Sequence, residues 1–190
     1  MERDYGVWKF SGKEKAKLIL SYLGLCGLVS WLFYHSFWAV LPFLAGLPVF
    51  LKKSREKRIK ERREELLTEF LTGIRAIASA LDAGYSMENA LGEALKETEK
   101  VYGMDGVFTE ELREMERKRN LNQSMETLWA DLGKRSGLED IENFGEIFQV
   151  ARRSGGNLKE IIQSTADNIT RKTETRREIE ISLAAKKMEQ

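Results

Sequence analysis

The sequence predicts an all-α protein in which an N-terminal transmembrane helical hairpin precedes an antiparallel six-helix cytoplasmic bundle. Three observations predict it. Residues 18–51 hold no Asp, Glu, Lys or Arg. No proline follows Pro48, whereas a β-rich domain of that length would place proline in its turns and edge strands. Beyond Pro48 the residues Glu, Lys, Arg, Leu and Ala dominate, apolar side chains recur at the helical period, and strict alternation is nowhere sustained. The averages hide this division. At 42% hydrophobic, 32% charged and net charge +1, the 190 residues read as one soluble domain.

The uncharged run comes first. A single spanning helix needs about 20 apolar residues, and residues 18–51 as one helix would reach roughly 51 Å, too long for a hydrocarbon core of about 30 Å. Two crossings fit better, with Leu18–Tyr34 and Phe37–Leu51 as arms and Tyr34-His35-Ser36 as the turn. Trp31, Tyr34 and Trp38 cluster there as interfacial aromatics do. A re-entrant or single-span segment is the alternative. A signal peptide fits less well, because the run is about twice a usual apolar region and lacks a small-x-small cleavage site. Lys9, Lys13, Lys15 and Lys17 precede the run, and Lys52, Lys53, Arg55, Lys57 and Arg58 follow it. Basic flanks on both sides put both ends in the cytoplasm. The division is then a cytoplasmic segment over 1–17, the hairpin over 18–51, a basic juxtamembrane collar over 52–63 and a helical domain over 64–190. The collar suits contact with anionic lipid headgroups, and equally a solvated helix face.

Six helices follow, by period and punctuation. The first spans about Arg55 to Asp82, with Leu66, Leu67, Phe70, Leu71, Ile74, Ile77, Ala78 and Leu81 as its apolar face. Gly84 supplies a left-handed cap. Ser86 caps the second helix, with Asn89 at the capping-box position. Gly103 and Gly106 flank a loop, and Thr109 caps a third helix anchored by Leu112 and Met115. Asn122 or Ser124 opens a fourth, with Met125, Leu128, Trp129 and Leu132. Ser136-Gly137 separates it from a fifth, with Ile141, Phe144, Ile147, Phe148 and Ala151. Gly155-Gly156 breaks the chain again, Asn157 caps a sixth, and that helix turns polar after Ile169 and continues toward the end. Short loops favour an up-and-down antiparallel bundle, and stripes broader than a heptad seam favour globular packing over a coiled coil.

Little in the chain suggests chemistry. One cysteine, Cys26, and one histidine, His35, exclude a disulfide framework, a multi-cysteine zinc site and a His-dependent triad. Net charge +1 argues against nucleic-acid binding. Gly133-Lys134-Arg135-Ser136-Gly137 only faintly resembles a phosphate loop, with neither the full spacing nor a preceding strand. Gly155-Gly156-Asn157 could receive an anion at a helix start, but a helix stop followed by a cap explains it as well. Glu139, Asp140, Glu142 and Glu146 complement a helix dipole; a divalent-cation site or a docking patch are the other readings. No carboxylate pair stands out for acid–base work. No catalytic, cofactor-binding or metal residue is expected, and no enzyme. Gly84, Ser86, Gly155, Gly156 and Asn157 are expected as structural hinges.

These segments carry a resemblance. The run Phe70-Leu71, then Leu81-Asp82-Ala83-Gly84-Tyr85-Ser86, then Asn89-Ala90-Leu91, is followed by Leu128, by Leu132-Gly133-Lys134-Arg135, by Ile141 and Phe144, and by Ala151-Arg152-Arg153-Ser154-Gly155-Gly156-Asn157-Leu158. In order and spacing it resembles the type II secretion system F domain of inner-membrane platform proteins. The resemblance covers roughly Glu64–Gln190. It implies a six-helix cytoplasmic bundle in a non-enzymatic scaffold, acted on by a hexameric assembly ATPase, paired with a homologous platform subunit and passing motion to pilin subunits. One such domain behind a hairpin is most similar to the tight-adherence (Tad) pilus type. Asn122 stands where the family often has glycine, so that turn is expected to differ. The family also continues into further membrane helices where this sequence stops, so the chain reads as truncated before them or as an atypical member. The rival class is a membrane-anchored helical signal-transduction or scaffold protein, which predicts sustained heptads and a sizeable external part.

Overall fold

The computed structural model describes residues 4–8, 10–34, 46–154 and 158–188. Among them are seven helices and no strand: α1 Gly12–Tyr34, α2 Leu47–Asp82, α3 Met87–Tyr102, α4 Val107–Asn120, α5 Met125–Ser136, α6 Glu139–Ser154 and α7 Leu158–Met188. They fall into two compact units, within Tyr5–Arg62 and within Arg63–Gln190.

In the first unit, α1 lies antiparallel to the start of α2, with the Tyr22 and Phe50 ring centroids 4.9 Å apart. Tyr5 is buried, and the Arg62 guanidinium lies 5.4 Å from the ring centres of both Tyr5 and Trp8. Such contacts hold an arginine by cation–π attraction while its stem packs. Among the described residues no helix is long and apolar enough to cross a membrane. The expected turn residues His35 and Ser36, and most of the second arm from Phe37, lie outside the described residues. The end of that arm, from Leu47, belongs to α2, which therefore starts before the expected Arg55 and carries the basic collar.

The second unit is built around the later part of α2. Leu66, Phe70, Ile74, Ile77 and Ala78 are buried at i, i+4, i+8, i+11 and i+12, one face of a helix. Phe70 sits at the middle of an aromatic cluster. Its ring centroid is 5.3 Å from Phe108 on α4, 6.2 Å from Trp129 on α5 and 5.3 Å from Phe144 on α6, all edge-on. Edge-to-face geometry sets the positive ring rim against the negative face of the next. Cross-helix contacts run antiparallel throughout: Thr72 to Tyr102, Glu99 to Arg113, Glu111 to Arg135 and Asp140 to Lys172. The described side chains of α7 from Arg171 to Lys186 are all exposed.

Local chemistry sets most of the boundaries. Gly84 ends α2 at φ 86°, with the Tyr85 amide donating to the Ala80 carbonyl and the Gly84 amide to Leu81. That is a Schellman cap, and its left-handed residue costs least as glycine. Asn122 closes α4 in the same way at φ 64°, with Gln123 donating to Lys118 and Asn122 to Arg119. The expected departure at this turn is therefore corrected: asparagine tolerates the left-handed conformation, so the turn has the shape a glycine there would give. Ser124 is the N-cap of α5, its hydroxyl accepting from the Thr127 amide at 3.3 Å.

Two further expectations are corrected. Thr109 does not cap α4; the helix begins at Val107 with Gly106 as N-cap and no capping side chain of its own. The free helix amide of Phe108 donates instead to the buried Glu69 carboxylate of α2 at 2.8 Å. A carboxylate at a helix N-terminus satisfies an orphan donor and opposes the dipole, whichever element supplies it. Ile147 is not core either, at 42% exposed. The buried side of α6 runs Ile141, Phe144, Gly145, Phe148 and Ala151, so it turns toward the glycine and away from Ile147.

The glycine matters because α5 and α6 cross there almost backbone to backbone. A Cβ at Gly145 would meet the Trp129 carbonyl oxygen at 3.0 Å, and one at Gly133 would meet the Glu142 Cα at 2.9 Å. Neither obstacle is a side chain that can swing aside. Gly133→Ala should therefore lower stability by about 1–3 kcal/mol, as overpacking does, although alanine is the better helix former. Urea unfolding of the full chain in detergent, followed by helical circular dichroism, checks this; unchanged or raised stability would show that the helices can separate.

Candidate functional site

The two segments expected as hinges are flanked by residues that meet at one end of the bundle. The end of α2, the start of α3, the end of α4, the start of α5, the end of α6 and the start of α7 all contribute. Ser86 is the N-cap of α3, and its hydroxyl accepts from the Asn89 amide at 3.3 Å. One residue into the helix, Glu88 receives Arg152 of α6 at 3.1 Å. The same guanidinium reaches Glu126, in the first turn of α5, at 3.2 Å. Arg119 of α4 donates to the Glu88 carbonyl oxygen. Lys159, in the first turn of α7, pairs with Asp82, the last residue of α2. Gly155, Gly156 and Asn157 themselves lie outside the described residues.

Sequence geometry explains the chemistry of this end. Three helices start here and three finish. Acids in first turns and bases in last turns each oppose the local dipole, so Glu88 and Glu126 face Arg152 with each helix satisfied as well. The Glu88 carboxyl is held below its usual range, first by a hydrogen bond from its own backbone amide; burial, next in size, opposes this, and the hydrogen bond and charge of Arg152 add to the lowering. A carboxyl lowered in the folded state stabilises the fold above its unfolded pKa, and that contribution is lost as pH falls through the folded value. Arg152→Ala should therefore move the Glu88 titration upward without returning it fully to the ordinary value, because the amide remains. Carbon-detected NMR titration of the Glu88 carboxyl checks this; an unmoved titration would mean that the pair does not persist in solution.

Above this end an open groove of about 530 Å3 follows α2 and α3, with Ala76, Ser79, Ala80 and Ala83 on one wall and Glu93 and Glu97 on the other. The basic collar residues Lys52, Lys53, Arg55, Lys57 and Arg58 are all exposed on α2. The Gly133–Gly137 stretch has no opening for a phosphate. Gly133 packs on the α6 backbone, the Arg63 guanidinium fills the space at Gly137, and the Ser136 hydroxyl is engaged with Gly133 and Leu138. Among the described residues no group of three His, Cys, Asp or Glu side chains could hold a metal ion. Within the acidic stretch, Asp140 pairs with Lys172 at 2.7 Å and ties α6 to α7.

Sequence reasoning names the segments these residues flank but not the partners. Glu88 and Glu126 are separated from Arg152 by too many residues for any spacing rule to join them. A signal was present nonetheless: both acids stand in first turns and Arg152 in a last turn.

Residues 74–189 match the model of the family described as Type II secretion system (T2SS), protein F. No curated protein and no solved structure matches the chain.

Proposed function

Because the chain belongs to the type II secretion system protein F family, we propose that it serves as the inner-membrane platform of a tight-adherence type pilus assembly system, coupling a hexameric cytoplasmic ATPase to pilin insertion. The family consists of non-enzymatic platform proteins of the type II secretion and type IV pilus kind, which meet secretion ATPases and other platform subunits. That match over more than half of the chain is the observation that carries the reading. On this reading the uncharged run 18–51 forms the membrane hairpin, and the collar Lys52, Lys53, Arg55, Lys57 and Arg58 lies against lipid headgroups. The bundle stands in the cytoplasm and contacts the ATPase and a homologous platform subunit. The hinges are Gly84, Ser86, Gly155, Gly156 and Asn157.

The geometry of the bundle end supports such coupling. Its Glu88–Arg152 and Asp82–Lys159 pairs are exposed, and exposed pairs contribute little to stability individually, about 0–1 kcal/mol. A partner bearing charge can then engage Arg152 or Lys159 with small loss to the fold, and charge complementarity at such a surface gives specificity and association rate more than affinity. Co-purification of the detergent-extracted chain with the neighbouring ATPase and platform homologue tests the proposal. Capture of both, reduced by Arg152→Glu, is the expected result; capture of neither, with pilus assembly surviving deletion of the chain, would sink it.

A further inference from the structure

A pocket of about 270 Å3 opens in the N-terminal unit between the first residues of the chain and α2, lined by Phe10, Leu18, Ser54, Lys57, Arg58 and Glu61. Its chemistry is divided. Phe10 and Leu18 form an apolar side, and Lys57 and Arg58 form a cationic one. Both cations share one carboxylate, each 3.7 Å from a Glu61 oxygen. That is longer than a charge-assisted hydrogen bond of about 2.7–2.9 Å, and it leaves one positive charge uncompensated. Both side chains are largely exposed, at 77% and 60%, so their donors are available to a ligand.

The position of the pocket along the two helices adds a second, independent observation. Tyr22 stacks on Phe50, and Leu18 shares the pocket with Ser54. Four residues down α1 therefore correspond to four residues along α2. In that register Lys17, the last charge before the uncharged run, and Lys52, the first after it, fall within a few residues of one level. The change from charged to uncharged surface thus occurs at the same height on both helices, and the pocket sits on that line. A bilayer surface makes the same change from headgroup to hydrocarbon.

We propose that this pocket binds the phosphate headgroup of an anionic phospholipid, with Lys57 and Arg58 on the phosphate and Leu18, on their membrane side, against the first carbons of the acyl chains. The inference rests on the membrane reading given above and adds to it a defined lipid site within a diffuse collar. Lysine supplies a point charge and arginine a planar fork, a pair suited to a phosphate bearing two free oxygens.

The test uses the full chain in a neutral detergent, titrated with phosphatidylglycerol or phosphatidylcholine and read by native mass spectrometry. Phosphatidylglycerol should bind roughly tenfold or more tightly than phosphatidylcholine, the scale expected of two surface cations. Lys57→Ala with Arg58→Ala should abolish that preference. Lys52→Ala with Lys53→Ala, which removes the same charge from the collar outside the pocket, should lower it far less. Ser54→Trp, which changes no charge and fills the pocket, should weaken it about as much as the pocket pair does. Absence of a preference, or equal loss in both double variants, would overturn the site. So would inorganic phosphate competing as well as the lipid, since the ligand would then be a free anion. Release of the chain from cell membranes by alkaline carbonate would instead remove the membrane reading, and the micelle titration is read separately from it.

Discussion

Arg135→Met is expected to destabilise the chain by about 3–5 kcal/mol, the cost of leaving a buried charge without its partner. Arg135 reaches both oxygens of Glu111, at 2.8 and 3.2 Å, and sends its Nε to Asp131 at 2.8 Å. The side chains are 14% and 6% exposed for Arg135 and Glu111, so the fork lies between α4 and α5 and not on the surface. Burial alone would pull the guanidinium pKa down; the hydrogen bonds to Glu111 and Asp131 outweigh it and hold the pKa above the usual value. Removing the arginine strands the Glu111 carboxylate. Pairing the change with Glu111→Leu should recover much of the loss, because an apolar pair of similar volume is often as stable as the ion pair it replaces. Chemical denaturation of the single and double variants, in detergent, measures both. A single variant within 1 kcal/mol of the parent would show that water reaches the pair.

Phe70→Ala should cost a comparable amount, about 3–5 kcal/mol, from lost burial and the cavity left behind. Phe70 is fully buried and touches aromatic rings from three other helices, so no single neighbour can move in to close the gap. Phe70→Leu should lose less, and the remainder would report the edge-on ring contacts, each about 0.5–1.5 kcal/mol beyond area. The near-ultraviolet circular dichroism of the cluster should fall in both variants while helix content holds. Equal losses in the two variants would mean that ring geometry contributes nothing.

The sequence made some of this architecture legible and concealed the rest for definite reasons. Gly84 and Ser86 were readable because the cap, the left-handed residue and the first amide all lie within a few residues of one another. The aromatic core was readable by period: Phe70, Trp129, Phe144 and Phe148 stand in apolar stripes. Gly145 was not, because counting apolar residues gives a glycine no weight, although its missing side chain is what lets α6 meet α5. Nor was the capping of α4, because its acceptor, Glu69, comes from 39 residues before the Phe108 amide. A glutamate inside an apolar face looks like an interruption until the free amide opposite it is known. For the candidate site, the glycines and caps at Gly84–Ser86 and Gly155–Asn157 mark in the sequence where helices break. The acids opposite Arg152 carry no such mark, since contact across helices sets them.

The two kinds of ion pair described above respond differently to dissolved salt. Charges at the water-facing end, among them Arg152, Glu88, Asp82 and Lys159, are 37–45% exposed, and counter-ions penetrate there. At physiological ionic strength the screening distance is about 8 Å, and at 1 M it shrinks to about 3 Å. Glu111 and Arg135 lie where counter-ions do not reach. Raising ionic strength should therefore loosen the ties between helix ends while the pair between α4 and α5 holds, making salt a means of relaxing one end of the bundle without melting its interior.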